Sequence, residues 1–158
     1  MIDGTGREYR PETEITTDTF YTDYSGALMN SRRIILLAHG SSDKRWCDTF
    51  EALAEPTLTA VSNSRIAYME LAEPSLDAVV HEGVAAGTRE FTIVPLFLAA
   101  GRHLRKDVPA MIEALEQSTG ASIQLCPPIG ENPLLGQAIK DVVALQLGQN
   151  TGQLGIQS

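Results

Sequence analysis

The feature that most constrains this chain is a regular alternation of short apolar runs with longer amphipathic segments. The runs predict strands, and the segments between and after them predict helices. Strands are predicted at 33–38, 65–71, 90–98 and 121–125. Helices are predicted at 44–62, 74–86, from about 103 or 107 to 119, and at about 132–147. Such alternation predicts βαβ units, and therefore a parallel sheet with helices on both faces.

Right-handed crossovers leave few topologies open to a sheet of this kind. We expect an α/β fold of the flavodoxin-like, three-layer type, with a four-stranded parallel sheet in the order 2-1-3-4. In that order the crossovers change direction between the first and third strands. Sheets of this class bind their ligands in the crevice at that point, beyond the carboxyl ends of the strands.

Composition divides the 158 residues into three segments. Residues 1–30 hold six acidic and two basic side chains without a lasting apolar period, so we expect a flexible acidic extension. Met29, just before the first strand, is a candidate start of the natural protein. Residues 31–148 form the predicted domain, and the Gln- and Gly-rich residues 149–158 are expected to be a flexible tail.

Charge and composition exclude several classes of function. The net charge of −8 disfavours general binding of nucleic acid, which needs basic side chains. No apolar run approaches the roughly 20 residues of a membrane span. The two cysteines, Cys47 and Cys126, lack disulfide-framework or zinc-site spacing, and no signal peptide is visible, so we expect reduced thiols in the cytoplasm. Phosphate-binding loops, the dinucleotide fingerprint and the serine-hydrolase elbow are all missing from the sequence.

Two of the three histidines follow strands that border the predicted crevice. His39 comes after the first strand and His103 after the third, while Glu70 lies at the end of the second. Imidazole binds first-row divalent metals and also accepts protons near neutral pH. These residues are the candidate chemical centre, whereas Asp43 and Asp107 are expected to be helix caps or supporting groups.

Three cations surround His103 in an otherwise acidic protein. Arg102, Arg105 and Lys106 lie at the predicted start of a helix, where the helix dipole disfavours positive charge. A bound carboxylate or phosphate would offset that cost. The cluster therefore indicates an anionic ligand.

Three segments of the chain resemble the CbiX/SirB family of class II tetrapyrrole chelatases. They are Leu-Leu-Ala-His-Gly-Ser at 36–41, Met-Glu-Leu-Ala-Glu-Pro-Ser-Leu at 69–76 and the long, specific block at 94–109. The resemblance covers about 33–147. It implies ATP-independent insertion of a divalent metal into sirohydrochlorin or a related tetrapyrrole, in cobalamin or sirohaem biosynthesis. The implied metal is cobalt or iron, with nickel less favoured, and no other cofactor is implied.

The resemblance also implies roles for individual residues. His39 and His103 would bind the metal and accept protons, with Glu70 as their acidic partner. Ser42 stands where many relatives have Arg, and Arg45 is a candidate to replace that charge. The substrate-binding candidates are Gly40, Ser41, Arg45, Arg102, Arg105 and Lys106.

Metal insertion into a planar macrocycle also needs apolar walls beside the metal site. Candidates from the third strand and its loop are Leu96, Phe97, Leu98 and Leu104. The length of the chain resembles that of the short family members, which implies a homodimer. From the net charge and the short apolar runs, we expect neither nucleic acid nor membrane as partner. Two alternatives stay open: a non-catalytic carrier of metal or tetrapyrrole, and a flavodoxin-like regulatory domain without activity.

Overall fold

A computed structural model of the protein describes residues 32–151, with side chains described to residue 148. The strands are β1 (Arg32–Ala38), β2 (Ser64–Tyr68), β3 (Glu90–Pro95) and β4 (Ser122–Leu125). They pair in parallel in the order β2-β1-β3-β4. This confirms the predicted topology. The predicted extension at 1–30 and most of the predicted tail lie outside the described residues.

Among the described residues, four α-helices and two short turns lie between or after the strands. They are α1 (Lys44–Ala60), α2 (Leu76–Ala85), α3 (Val108–Thr119) and α4 (Pro133–Thr151), with a π-helical turn at His103–Asp107 and a 3-10 turn at Ile129–Glu131. Within residues 32–151, no helix combines the length and the apolar character needed to cross a membrane.

The helix ends follow local hydrogen bonding. Asp43 caps α1 as predicted, because its carboxylate accepts a hydrogen bond from the Arg45 amide. Gly120 ends α3 with a left-handed φ of 71°. The prediction that α2 begins at Pro74 is wrong. Ser75 is the cap, and its hydroxyl accepts from the Ala78 amide.

Several predicted boundaries differ from the structure. Strands β2 and β3 end at Tyr68 and Pro95, earlier than predicted, and Leu71 adopts a left-handed φ of 60° in the loop after β2. The last helix continues beyond its predicted end near residue 147 and reaches Thr151. A single glycine inside a helix costs only about 1 kcal/mol, so Gly148 does not have to end it.

The main core lies between the sheet and the α2–α3 layer. Its members include Ile35, Leu37, Phe91, Ile93 and Leu115. A smaller cluster of Ala38, Cys47 and Tyr68 packs beneath α1, with Trp46 and Phe50 partly buried against it. The helical spacing of Leu53 from Trp46 and Phe50 predicts that it belongs to the buried stripe of α1, and this prediction is wrong. That side chain is 68% exposed, and Ala54 is buried in its place.

Helix α2 packs against β3 through a glycine. An added Cβ at Gly83 would lie 2.7 Å from the Phe91 ring, with the buried Arg33 guanidinium close behind. Gly83→Ala should therefore lower the free energy of unfolding by about 1–3 kcal/mol, although alanine is the better helix former. Urea denaturation measures this change.

Gly136→Ala provides the matched control, because Gly136 is exposed in α4 with no atom within 4 Å of the added Cβ. We expect that variant to be neutral or up to about 1 kcal/mol more stable. Equal effects at the two glycines would contradict the close packing of α2 on Phe91.

Candidate active site

The two predicted histidines meet at the carboxyl edge of the sheet. His39 follows β1 directly, and His103 begins the π-helical turn beyond β3. Their ring centroids are 5.8 Å apart, and the ring planes meet edge to face at 80°. Because β1 and β3 are neighbours, the sheet itself brings the two imidazoles together.

His39 is supported from one side by Phe97. The two rings stack with centroids 4.1 Å apart and an angle of 18° between their planes. Phe97 is buried in the main core, so it holds the imidazole in place. Of the predicted apolar walls, Phe97 and Leu104 are thus core residues, Leu96 is partly buried and Leu98 is 76% exposed.

The loops after β1 and β2 are joined by backbone hydrogen bonds. The Met69 amide donates to the Ala38 carbonyl at 3.0 Å, and the Glu70 amide donates to the His39 carbonyl at 3.1 Å. Gly40 makes this contact possible. Its φ of 94° is left-handed, and a Cβ there would overlap the Glu70 carbonyl oxygen.

This contact changes the interpretation of Gly40. Gly40 was predicted only to bind substrate, whereas the structure shows it admitting the loop that carries Glu70. The consequence for chemistry is that Glu70 is fixed beside the histidine pair, with its side chain in solvent.

Burial lowers the pKa of His39 below its ordinary value of 6.5. The neighbouring His103 lowers it further, since two imidazolium ions repel, while the Glu70 carboxylate acts in the opposite direction. The imidazole of His39 is therefore mainly neutral at pH 7. In that form it can accept a proton or bind a metal ion.

His103 is oriented by a carboxylate on its own turn. Its Nδ1 lies 2.7 Å from Oδ2 of Asp107, four residues along the π-helical turn. A carboxylate accepts hydrogen bonds, so Nδ1 is the donor and Nε2 of the neutral ring keeps its lone pair. Asp107 makes no capping hydrogen bond at the start of α3. Of the two roles expected for it, helix cap or supporting group, it therefore has the second.

The basic residues around His103 are exposed. Within residues 32–148, the side chains of Arg102, Arg105 and Lys106 make no hydrogen bond or ion pair. Unpaired cations beside a half-exposed imidazole suit an anionic ligand better than an internal partner.

The other substrate-binding candidates belong to the start of α1. The Arg45 guanidinium pairs with the Asp43 carboxylate at 3.0 Å, and Ser41 Oγ accepts a hydrogen bond from the Asp43 amide. Both side chains thus have local structural contacts. Arg45 remains largely exposed, so its pairing with Asp43 is easily exchanged for a ligand.

Among the side chains of residues 32–148, no three His, Cys, Asp or Glu converge as a preformed metal cluster. The site that the structure brings together is a pair of imidazoles. Phe97 and Asp107 support these rings, and Glu70 lies beside them. The supporting contact of Phe97 with His39 was missed from the sequence, where Phe97 was considered only as a ligand wall.

The charges around His39 predict how its pKa responds to substitution. Glu70→Gln should lower this pKa further, because it removes the carboxylate that favours the imidazolium. His103→Ala should raise it, because it removes a repelling positive charge. Histidine NMR titration of the metal-free protein measures both shifts. Shifts in the same direction for both variants would contradict this electrostatic arrangement.

Comparison with known proteins identifies the family of this chain. A model of the CbiX family matches residues 33–145. The sirohydrochlorin cobaltochelatase of Sulfolobus acidocaldarius is 29% identical over 108 residues, covering 68% of this chain and 86% of that protein. The chloroplastic sirohydrochlorin ferrochelatase of Arabidopsis thaliana is 34% identical over 76 residues, covering 48% of this chain and 34% of that protein.

Solved structures give the same result. The crystal structure of a CbiX protein from Marinobacter aquaeolei is 64% identical, with a TM-score of 0.72, and the match covers 75% of this chain and 98% of that one. SirB from Bacillus subtilis with Fe³⁺ shares the fold at 24% identity and a TM-score of 0.63, covering 70% of this chain and 45% of that one. With the family match extending over most of its folded residues, this chain belongs to the CbiX family.

Proposed function

We propose that this protein is a chelatase that inserts a divalent metal ion into sirohydrochlorin without ATP. The observation that carries the proposal is the pair of imidazoles, 5.8 Å apart, at the carboxyl ends of β1 and β3. Relatives named sirohydrochlorin cobaltochelatase and sirohydrochlorin ferrochelatase support it. The product would serve cobalamin or sirohaem biosynthesis.

The reaction replaces two pyrrole N–H protons of the macrocycle with one divalent metal ion. It therefore needs ligands that hold the metal briefly and bases that take both protons. In the proposal His39 and His103 bind the incoming metal and accept protons, and Glu70 is their acidic partner. The neutral state of His39 and the free Nε2 of His103 support these roles.

The rim of the macrocycle carries carboxylates, and we assign the unpaired cations to them. Arg102, Arg105 and Lys106 would bind the rim beside His103, and Arg45 would add a fourth cation from α1. Gly40 and Ser41 complete the proposed substrate-binding set. The exposed Leu98 is available as an apolar surface for the ring.

The metal in this proposal is a substrate, and no other cofactor takes part. Cobalt and iron both suit imidazole ligands, and the names of the relatives include both; nickel ranks third. The proposal also includes a homodimer and a cytoplasmic location, the latter supported by the two free cysteines.

The histidine roles predict a large loss of activity on substitution. In an anaerobic absorbance assay with sirohydrochlorin and cobalt(II) or iron(II), His39→Ala and His103→Ala should each slow metal insertion by about 10²–10⁴-fold. His81→Ala is the matched control, because His81 lies on the exposed surface of α2. It should keep the wild-type rate.

The same assay separates the chelatase from a carrier. Many turnovers per enzyme molecule support the chelatase. Stoichiometric binding of the macrocycle without faster insertion would favour the carrier, and wild-type rates in both variants would remove the histidines from the mechanism.

The contact between Asp107 and His103 predicts a second effect. Asp107→Asn should reduce metal insertion by about 10–100-fold and raise the KM for the metal, because His103 loses the carboxylate that orients its ring. Asp77→Asn is the control, since Asp77 and His81 form the same i,i+4 pair on α2, with 3.3 Å between Oδ2 and Nδ1. An unchanged KM in Asp107→Asn would contradict the orienting role.

A further inference from the structure

Two exposed leucines lie at the same edge of the sheet as the histidine pair. Within residues 32–132, three large apolar side chains are more than half exposed: Leu53 on α1, Leu71 and Leu98. Leu71 belongs to the loop after β2, and Leu98 belongs to the loop after β3. Leu98 has a role in the proposed function as an apolar surface for the ring, whereas Leu71 has none.

Leu71 has a backbone conformation that does not suit leucine. Its φ of 60° is left-handed, and in that region the Cβ of an L-residue crowds the following carbonyl oxygen. Within residues 32–151, Asn63 is the one other non-glycine residue with a positive φ. Asparagine tolerates this conformation, and the Asn63 side chain is hydrogen-bonded to Arg32 and Arg33. Leu71 instead combines a strained backbone with an apolar side chain that is 69% exposed to water.

The loop around Leu71 is held in place by backbone hydrogen bonds. The Glu70 amide donates to the His39 carbonyl, which joins the loop to the one after β1. The Tyr68 amide donates to the Pro74 carbonyl at 2.9 Å and closes the loop at its base. Strained residues persist where the surrounding structure fixes them, and they cluster at active sites and ligand contacts. The strain at Leu71 therefore indicates a functional role for this residue.

The neighbours of Leu71 show where it lies. Met69 packs against the main core, on the α2–α3 side of the sheet. Ala72 packs against the cluster beneath α1, on the other side. The chain therefore crosses the carboxyl edge of the sheet between these two residues, and Leu71 is at the crossing, directly after Glu70. Its exposed side chain is at the edge where the two imidazoles meet.

The positions of the two leucines indicate the shape of a ligand that touches both. Strands β2 and β3 are the two neighbours of β1, so Leu71 and Leu98 follow strands on either side of the one that leads to His39. Adjacent strands are about 4.8 Å apart, which separates β2 from β3 by about 10 Å. A ligand that spans this distance over the histidines is broad and apolar in its middle. The unpaired cations beside His103 require that its rim is anionic.

We propose that Leu71 contacts the tetrapyrrole ring and, with Leu98 on the other side of His39, positions the ring over the histidine pair. The inference rests on the proposed function, because it takes sirohydrochlorin as the ligand. A tetrapyrrole is flat and apolar in its middle and carries carboxylates at its rim, so it has both features that the site requires. The fixed loop holds the Leu71 side chain in place before the ring arrives, and little conformational entropy is lost on binding.

Binding of sirohydrochlorin to the metal-free protein, followed by absorbance, tests this contact. Leu71→Asn removes the apolar side chain and suits the left-handed backbone. It should raise the Kd for sirohydrochlorin by about tenfold or more, while urea denaturation shows a protein at least as stable as wild type. A leucine that served only the fold would give the opposite pattern, with lower stability and unchanged binding.

Two further variants and a kinetic measurement complete the test. Leu71→Met keeps an apolar side chain and should recover most of the affinity. Leu53→Asn is the matched control, because Leu53 is 68% exposed but lies about 14 Å along α1 from its start; it should leave the Kd unchanged. In the metal insertion assay, Leu71→Asn should raise the KM for sirohydrochlorin and leave the KM for the metal unchanged, because leucine has no atom that binds a metal.

The outcomes separate this inference from the proposed function. Unchanged binding in Leu71→Asn would overturn the contact and leave the chelatase intact. Equal losses of binding in Leu71→Asn and Leu53→Asn would also overturn it, because the effect would not be specific to the edge. Altered sedimentation of Leu71→Asn with unchanged binding would mean that another protein surface covers Leu71 instead of the ring.

Two results with the wild-type protein complete the separation. Binding of sirohydrochlorin without metal insertion would overturn the chelatase alone, and the contact would then be decided by the Kd of Leu71→Asn. A wild type that binds no sirohydrochlorin would overturn both proposals.

Discussion

The parallel pairing of β1 with β3 determines where this chain can perform chemistry. Leu37 is in register with Pro95, so the loops that follow the two strands leave the sheet side by side. Each loop carries one imidazole, and the 5.8 Å between their ring centroids follows from that pairing. The rest of the site consists of short-range supports: Phe97 beneath one ring and Asp107 beside the other.

The supports also separate the electrostatic environments of the two histidines. His39 is half-buried on an aromatic ring, and burial lowers its pKa. His103 is half-exposed, next to a carboxylate and to three unpaired cations. One imidazole is therefore kept neutral by its surroundings, and the other is held in one orientation at the rim. A reaction that takes up a cation and releases protons benefits from both conditions.

The sequence was sufficient to predict the sheet order and the meeting of His39 with His103, because both depend on strand order. It was not sufficient for features that depend on the local backbone conformation. The left-handed φ of Gly40 allows the loop after β2 to contact the loop after β1, and the sequence motif around Gly40 does not predict this contact. Pro74 was expected inside α2 because proline suits a first helical turn, yet Ser75 provides the cap. The spacing of Leu53 predicted a buried side chain, but it is exposed and the smaller Ala54 is buried instead.

Helix α4 shows a further limit of sequence patterns. Its apolar residues predict a helix correctly, but periodicity cannot say which surface a helix covers. Gly130 and Asn132 fix the point at the sheet edge where α4 begins. Among the described residues, six of its large apolar side chains stay more than half exposed, and both imidazoles of the histidine pair lie elsewhere on the same chain.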